Sequence, residues 1–521
     1  MVATPHYLAS AAGLWALRSG GNAFDAAVTA AAVLTVVYPH MCSVGGDAFA
    51  LIYDARTGVA SGFNGSGRAP GTASRDELTE RGLTTMPTRG PHSVTVPGVM
   101  DAWEQILARF GTWTLSDALG PAIDYARNGF PVTPRVADAI TAHADLLGST
   151  PTSAKMFLPA GGPPHPGQRL AFPDLANTLE KVAHQGTAVF YRGEIGAALA
   201  RAVREQGGWL ADDDLATHSG AWVTPLAASY RGVTVLELPP NTQGLLALLM
   251  LKLAEGFDLA ALGHNSADAI HVLVEAKKRA FAVAESWISD PERLQAPIER
   301  LLDQASIEQL RGTIRLDAAS APSPSHAPIG GDTVYLCAVD ADGNACSLIE
   351  STYFAFGSGV VAGDTGVLLQ NRGAYFSLDA THPNRLEPGK RTYHTLIPAM
   401  ALRDGRPWLV FGTMGADGQP QTQVQVLANL IDHGMDVQSA IEMPRWRSGR
   451  FLIDDSQERL WVEEDVSPEV LRDLERRGHQ LQVTAPWSES MGHAQAILID
   501  REAGVLHGGA DPRGDGAALG Y

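Results

Sequence analysis

Residues 331–351 read GDTVYLCAVDADGNACSLIES. Two runs rich in apolar and β-branched residues flank the turn Asp342-Gly343-Asn344, the pattern of a β-hairpin. Cys337 and Cys346 fall one in each run and read as ordinary strand residues. The residues just before, 318–331, read AASAPSPSHAPIGG; so much Ala, Ser, Pro and Gly suits neither a packed helix nor a central strand and predicts an exposed loop. Loop gives way to strand at Asp332-Thr333. Short β-type runs dominate after this junction and helical patterns before it, so it divides the chain into segments 1–332 and 333–521.

Working outward, residues 7–18 carry apolar positions at helical spacing and stop at Gly20-Gly21. Asn22 with Asp25 then has the form of an N-cap opening a second, Ala-rich helix. Residues 48–54 and 59–63 are short β-type runs joined by a turn at 55–58. Further helices are predicted over 98–110, over 115–127 behind the cap-like pair Thr114 and Asp117, and over 243–256 and 266–288. Pro/Gly-rich stretches such as 158–167 separate them, and no internal repeat of about 20 to 50 residues is present.

The bulk properties bound the function. At 521 residues, 45% hydrophobic and 18% charged, the chain has ample apolar surface for one large globular unit. With 39 Lys and Arg against 57 Asp and Glu, the net charge of −18 repels phosphate backbones and anionic lipid, so neither nucleic acid nor a membrane is expected as a partner. The most apolar run, Ala26 to Val37, falls short of the ~20 residues that span a bilayer and reads as a buried helix. Three cysteines make neither a disulfide framework nor a zinc site. The opening MVATPHYLASAAGLW has no basic region followed by an apolar core, so a cytoplasmic location is expected, or a periplasmic or secreted one if the true start lies upstream.

The common catalytic and nucleotide-binding signatures are missing: there is no G-x-S-x-G, H-E-x-x-H, G-x-x-x-x-G-K-S/T or G-x-G-x-x-G. The sixteen histidines are scattered, and the helical pair His264 and His271 reads as lacking an acidic or thiol companion at ligand spacing, so no metal and no cofactor is expected.

A series of blocks nevertheless occurs in a telling order: GGNAFDAAVTAAAVLTVVYPHMCSVGGDAFALIYD, SVTVPGVMDAWE, LELPPNTQG, SADAIHVLVEAKKRAFAVAESWISDP, GDTVYLCAVDADGNACSLIESTYFAFGSGVVAGDTGVLLQNRG and the closing DPRGDGAALGY. Together they span nearly the whole chain, which resembles the γ-glutamyltranspeptidases with their amidohydrolase and acylase relatives. The resemblance implies an α+β fold, an αββα sandwich of two antiparallel sheets between helical layers. It also implies a precursor cut between Asp332 and Thr333 into two subunits that stay together as a heterodimer. Such an enzyme takes a small-molecule amide and passes its acyl group to water, or to an amino-acid or peptide acceptor.

The chemistry explains the threonine. A hydroxyl is a weak nucleophile without an adjacent base, and a cleaved Thr333 carries its own α-amine, a group that titrates near ~7.7 to 8.0. The resemblance assigns nucleophile and base to Thr333, a neighbouring hydroxyl to Ser351, and an oxyanion hole to Gly415 and Ala416, the latter replacing a second family glycine. Alanine keeps the amide donor but restricts φ, which points to a rebuilt hole that includes Gly418. The plain alternatives are a strand-opening threonine, a solvent-facing strand serine and loop-shaping glycines.

The substrate pocket departs from the family. Its D-F-R-E-x-A-P segment reads FNGSGRAP here, with Ser66 at the arginine position and Arg68 two places later. Its N-N-Q-M-D-D-F segment reads QNRGAYF, with Arg372 and Tyr375 where Gln and an amine-binding Asp stand. The family's paired serines become His394 and Thr395, and PPPSSGG becomes Pro239-Pro240-Asn241-Thr242-Gln243-Gly244. Losing an acid and gaining an arginine favours an anionic acyl group without an amine, such as a glutaryl or oxamate-type amide, over γ-glutamyl. Arg68 and Arg372 as structural arginines, a true γ-glutamyltransferase acting on glutathione-like donors, and a catalytically silent scaffold are the competing readings.

Overall fold

The computed structural model describes residues 1–285, 287–293, 298–321, 331–450 and 458–521. Alternation along the strand Asp332–Val339 shows how the layers arise. Val334, Leu336 and Ala338 join a cluster with the helix Ala23–Val37, whereas Tyr335, Cys337 and Val339 pack with Leu236, Met400, Val410 and Ile497 of other strands. Successive side chains point to opposite faces, so one face meets helices and the other meets a second sheet. Both are apolar, and from Thr333 onward the strand is buried throughout.

Thr333 is odd-numbered like Tyr335 and Cys337, and so stands at the open end of the layer between the sheets. The first sheet runs in the order Ala517–Leu519, Val2–Thr4, Asp332–Val339, Ala345–Tyr353, Asp47–Asp54, Val59–Asn64, Ala221–Val223. The second runs Val505–Ala510, Ala494–Asp500, Arg406–Thr413, Ala399–Arg403, Val233–Glu237, Leu226–Tyr230. Every pairing in both is antiparallel. Strands from before and after residue 333 are interleaved in the first sheet and adjoin in the second. The helices Gly244–Ala254, Ala267–Glu285 and Gln419–Ile431 cover the second sheet, completing an αββα sandwich.

Local signals were good guides. Asn22 and Asp25 close a reciprocal capping box at the start of Ala23–Val37, as Thr114 and Asp117 do at Leu115–Asn128. Ala23–Val37 is buried at every position, which is why its apolar run shows no polar stripe. Of the predicted loop at 318–331, residues 322–330 lie outside the described residues, and Ala319 and Ser320 are tied down by Arg477 and Glu275. No helix among the described residues is long and apolar enough to cross a membrane.

Candidate active site

The register of the hairpin sets Ser351 opposite Thr333, so the two hydroxyls share a face. A bulge follows: the pairing shifts between Ser351 and Tyr353, and Tyr353 takes a left-handed φ of 81°. The backbone N–H of Tyr353 thereby donates to Ser351 Oγ at 2.7 Å. Thr333 Oγ1 also donates to Ser351 Oγ, at 3.1 Å, and Ser351 Oγ donates to the carbonyl oxygen of Asp332 at 2.7 Å. A serine hydroxyl has two acceptor sites and one proton. Both acceptor sites are filled, so the proton is aimed at the Asp332 carbonyl, the peptide bond ahead of Thr333.

Close backbone packing holds these parts. A Cβ on Gly46 would come within 2.4 Å of the Ser351 carbonyl oxygen, so the strand can approach only because this residue of SVGGDAF is glycine. A Cβ on Gly331 would stand 2.3 Å from the Cβ of Ala416, so the chain entering Asp332 passes directly over Gly415-Ala416. Gly415 has φ 127° and Ala416 φ 48°. Ala416 adopts the left-handed conformation despite its Cβ, at a cost of about 1 kcal/mol or more. Gln243 Nε2 donates to the Ala416 and Thr395 carbonyls, both at 2.8 Å, and Gly418 N–H donates to the Gly415 carbonyl, also at 2.8 Å. Gly418 thus braces the turn through its own N–H.

Arg372 is 1% exposed, and its guanidinium lies over the Tyr353 ring at 4.1 Å. Nη1 donates to Thr395 Oγ1 at 3.3 Å, while Nε and Nη2 have no hydrogen-bond partner among the described residues. Burial pulls its pKa down, opposed by Tyr353, Asp47 and Tyr375. A guanidinium whose two free donors lie on neighbouring nitrogens has the geometry to take a carboxylate bidentately. Tyr375 stacks on Tyr393, with ring centroids 4.8 Å apart at 8°, and its hydroxyl meets Asp417 Oδ1 at 3.4 Å.

His394 and Arg68 are engaged elsewhere. His394 Nε2 meets Asp47 Oδ2 at 3.0 Å and its Nδ1 accepts from Leu396 N–H at 3.4 Å, which fixes a neutral imidazole with the proton on Nε2. Burial holds its pKa well below 6.5 and pushes Asp47 up to about 7. The ring is therefore held between Asp47 and the Leu396 amide, with neither nitrogen free. Arg68 is bound by Glu292 at 2.6 Å, Asp290 at 3.5 Å and the Gly389 carbonyl at 3.0 Å, matching the structural-arginine alternative.

Reading from sequence passed over Tyr353, Asp47, Asp417 and Arg89, and gave Gln243 no role beyond a changed position. The glycines of SVGGDAF were a visible signal for Asp47. Nothing local marks Gln243, whose three partners, Thr395, Ala416 and Tyr393, all lie at least 150 residues away. The expectation for His271 is corrected as well: Glu275 stands one turn on, and His479 Nε2 lies 2.8 Å from His271 Nδ1. This trio has the geometry of a metal cluster, but Lys278, Arg279 and Ser320 saturate Glu275, and the Arg315 carbonyl takes the other nitrogen of His271.

Asp332 carries a pH signature. Burial pushes its carboxyl up to about 6, opposed by the Ala355 N–H and Arg89; Arg89 itself is anchored on the Ala355 and Gly357 carbonyls at 2.6 and 2.5 Å. Glu489 also responds to the Asp332 charge. A carboxyl whose folded pKa exceeds the usual 3.8 holds its proton longer in the folded chain. Stability of the uncleaved chain should then fall as pH rises from about 4 to about 6 and level off above, by up to about 3 kcal/mol from this group. Thermal midpoints of Thr333→Ala and of Thr333→Ala with Asp332→Asn should converge at pH 4 and separate by pH 7, the Asn form being higher; parallel curves would refute the assignment.

Comparison with known proteins agrees with this geometry. The γ-glutamyltranspeptidase family profile matches residues 9–521. A glutathione hydrolase-like YwrD proenzyme of Bacillus subtilis is 44% identical over 521 residues, covering 100% of this chain and 98% of its own. The oxamate amidohydrolase proenzyme of Klebsiella pneumoniae is 40% identical over 528 residues, with the same two coverages. The crystal structure of a cephalosporin acylase from Bacillus halodurans superposes with a TM-score of 0.93 at 38% identity, covering 100% of this chain and 96% of that one. The chain belongs to the γ-glutamyltranspeptidase family of N-terminal-nucleophile hydrolases and is an enzyme of their amidohydrolase and acyltransferase type.

Proposed function

We propose that the protein is an autoprocessed amide hydrolase that forms an acyl-enzyme on Thr333 and takes acyl groups ending in a carboxylate, such as glutaryl or oxamate-type amides. The observation that carries this reading is the Ser351 hydroxyl, which links Thr333 Oγ1 to the Asp332 carbonyl. Its hydrogen bond polarises the one carbonyl that Thr333 must attack to free its own amine. As Thr333 Oγ bonds to the Asp332 carbonyl carbon, its proton moves to Ser351, and the Ser351 proton moves to the developing oxyanion. The C–N bond then breaks, the nitrogen takes up the proton as the new α-amine, and water hydrolyses the ester to leave Asp332 with a free carboxylate. The products are segments 1–332 and 333–521.

In turnover the freed α-amine accepts the Thr333 hydroxyl proton while Oγ attacks the substrate amide. Gly415 and Ala416 supply the oxyanion donors. The unanswered donors of Arg372 support an acyl carboxylate, and Tyr375, where an amine-binding acid would stand, supports an acyl group without an amine. A relative named as an oxamate amidohydrolase points the same way.

Two measurements test this. Ser351→Ala should slow self-cleavage by roughly 10²-fold, the loss of one oxyanion donor, with the chain still folded; unchanged processing would remove Ser351 from the mechanism. Hydrolysis of γ-glutamyl anilide, glutaryl anilide and oxamate, each with and without glycylglycine, should favour the donors lacking an amine and show little gain from the acceptor. Dominant γ-glutamyl activity would overturn the proposed acyl preference, and strong stimulation by glycylglycine would make the enzyme a transferase.

A further inference from the structure

Four stretches set the acyl pocket apart from the family pattern, and all four are tied to one buried carboxylate. Asp47 opens the strand Asp47–Asp54 on the face that Phe49 and Leu51 turn toward the second sheet, and it is fully buried. In the strand register it lies opposite Ser351. Its Oδ1 accepts from Gly67 N–H and from Gln370 Nε2, both at 3.0 Å, and its Oδ2 accepts from His394 Nε2 at 3.0 Å. Those three donors come from FNGSGRAP, from QNRGAYF and from the His394-Thr395 pair. His394 carries the fourth stretch on its backbone: its N–H donates to the Asn241 carbonyl at 2.8 Å, and its carbonyl accepts from Gln243 N–H at 3.0 Å.

Arg372 is thereby held from two sides. Gln370 stands two residues before it, and Thr395, whose hydroxyl oxygen accepts from Arg372 Nη1 at 3.3 Å, follows directly on His394. A carboxylate that fixes both neighbours fixes the direction in which Nε and Nη2 point. Burying a carboxylate is costly unless its lone pairs are answered, and here the answering groups are the pocket's own. An amide could not replace it. Turned one way, the NH2 of an asparagine would face the His394 Nε2 proton; turned the other way, it would face Gly67 N–H. Moving the imidazole proton to Nδ1 would in turn set it against the Leu396 N–H that Nδ1 now accepts.

We propose that Asp47 is the positioning residue of the acyl pocket: it joins the four departing stretches into one unit and aims Arg372, so that selectivity for a carboxylate-bearing acyl group depends on it. This rests on Arg372 as the receptor for that carboxylate. Asp47 acts through Gln370, His394 and Thr395 and touches neither the substrate nor Thr333. Preorganisation of this kind matters because a misplacement of about 1 Å in a charged receptor forfeits most of its directional hydrogen bonding.

The test uses the full-length enzyme, the carboxylate-bearing donor of the panel above that it turns over best, and the counterpart with hydrogen in place of that carboxylate; for glutaryl anilide the counterpart is butyryl anilide. Asp47→Asn should raise KM for the carboxylate-bearing donor by roughly 10- to 100-fold with kcat within about threefold, and change kcat/KM for the counterpart by no more than about threefold. Self-cleavage should proceed, which reports a folded chain. Asp47→Asn combined with His394→Gln, whose amide oxygen can accept from the new NH2, should recover most of the loss. Gln370→Met serves if the Asn variant does not fold, with a KM rise of about 3- to 10-fold on the carboxylate-bearing donor alone. An unchanged KM in these variants, equal losses on both donors together with slowed self-cleavage, or a paired variant that recovers nothing would overturn the proposal. If Arg372→Met spares both donors, the acyl-side reading fails on its own, and Asp47 is left with no receptor to aim.

Discussion

Thr333→Ala should leave one intact chain of 521 residues that hydrolyses no amide, where the wild type should yield two pieces, 1–332 and 333–521. Two losses coincide. Removal of the hydroxyl abolishes attack on the Asp332 carbonyl, and the amine that would serve as base stays locked in a peptide bond. Ser351 cannot stand in, because its oxygen already accepts from Tyr353 N–H and its proton points at the carbonyl oxygen rather than its oxygen at the carbonyl carbon. Turnover should fall by on the order of 10⁴-fold or more, as when a nucleophile is deleted from a covalent mechanism. Denaturing mass spectrometry and an amide-hydrolysis assay on the same sample check both halves. Thr333→Ser, which keeps hydroxyl and amine, should still process. An uncut chain with undiminished activity would remove the free amine from the mechanism.

Arg372→Met should separate activity from stability. The side chain is buried with Nε and Nη2 unanswered among the described residues, so the Thr395 hydrogen bond and the Tyr353 ring offset only part of the cost of desolvating its charge. A methionine of similar length should raise the thermal midpoint. For a carboxylate-bearing donor, loss of a charge-assisted, two-pronged hydrogen bond costs about 3 to 4 kcal/mol, or roughly 10²- to 10³-fold in kcat/KM. For a donor without that carboxylate the change should be small. A variant that is both less stable and uniformly less active would make Arg372 a structural arginine.

What the chain made legible follows from range. The capping box at Asn22, the hairpin around Asp342-Gly343-Asn344 and the strand opening at Thr333 depend on residues within a few positions, and pattern alone located them. Ser351 became meaningful through register, since an antiparallel hairpin sets residue 351 against 333. The bulge that bends Tyr353 N–H onto it has no local signature. Arg68 shows the opposite failure: its motif position suggested a substrate contact, but its partners Asp290 and Glu292 lie more than two hundred residues away. Glu275 was within reach of a helical reading from His271, whereas His479 was not. The left-handed turn at Ala416 was not legible, because propensity describes an isolated residue, and the bonds to its carbonyl and around Gly415 hold it in a conformation it would not choose alone.

The strand Asp332–Val339 is hydrogen-bonded on one side to Val2–Thr4 and on the other to Ala345–Tyr353, and Ala345–Tyr353 pairs in turn with Asp47–Asp54. Neither product of a break at Thr333 therefore owns a complete sheet or a private core. Expressed from separate genes, each half would present bare strand edges and aggregate, so a nicked molecule would be a kinetic keepsake of a chain that folded once as a whole. Heat should melt it in a single step and should not reverse on cooling.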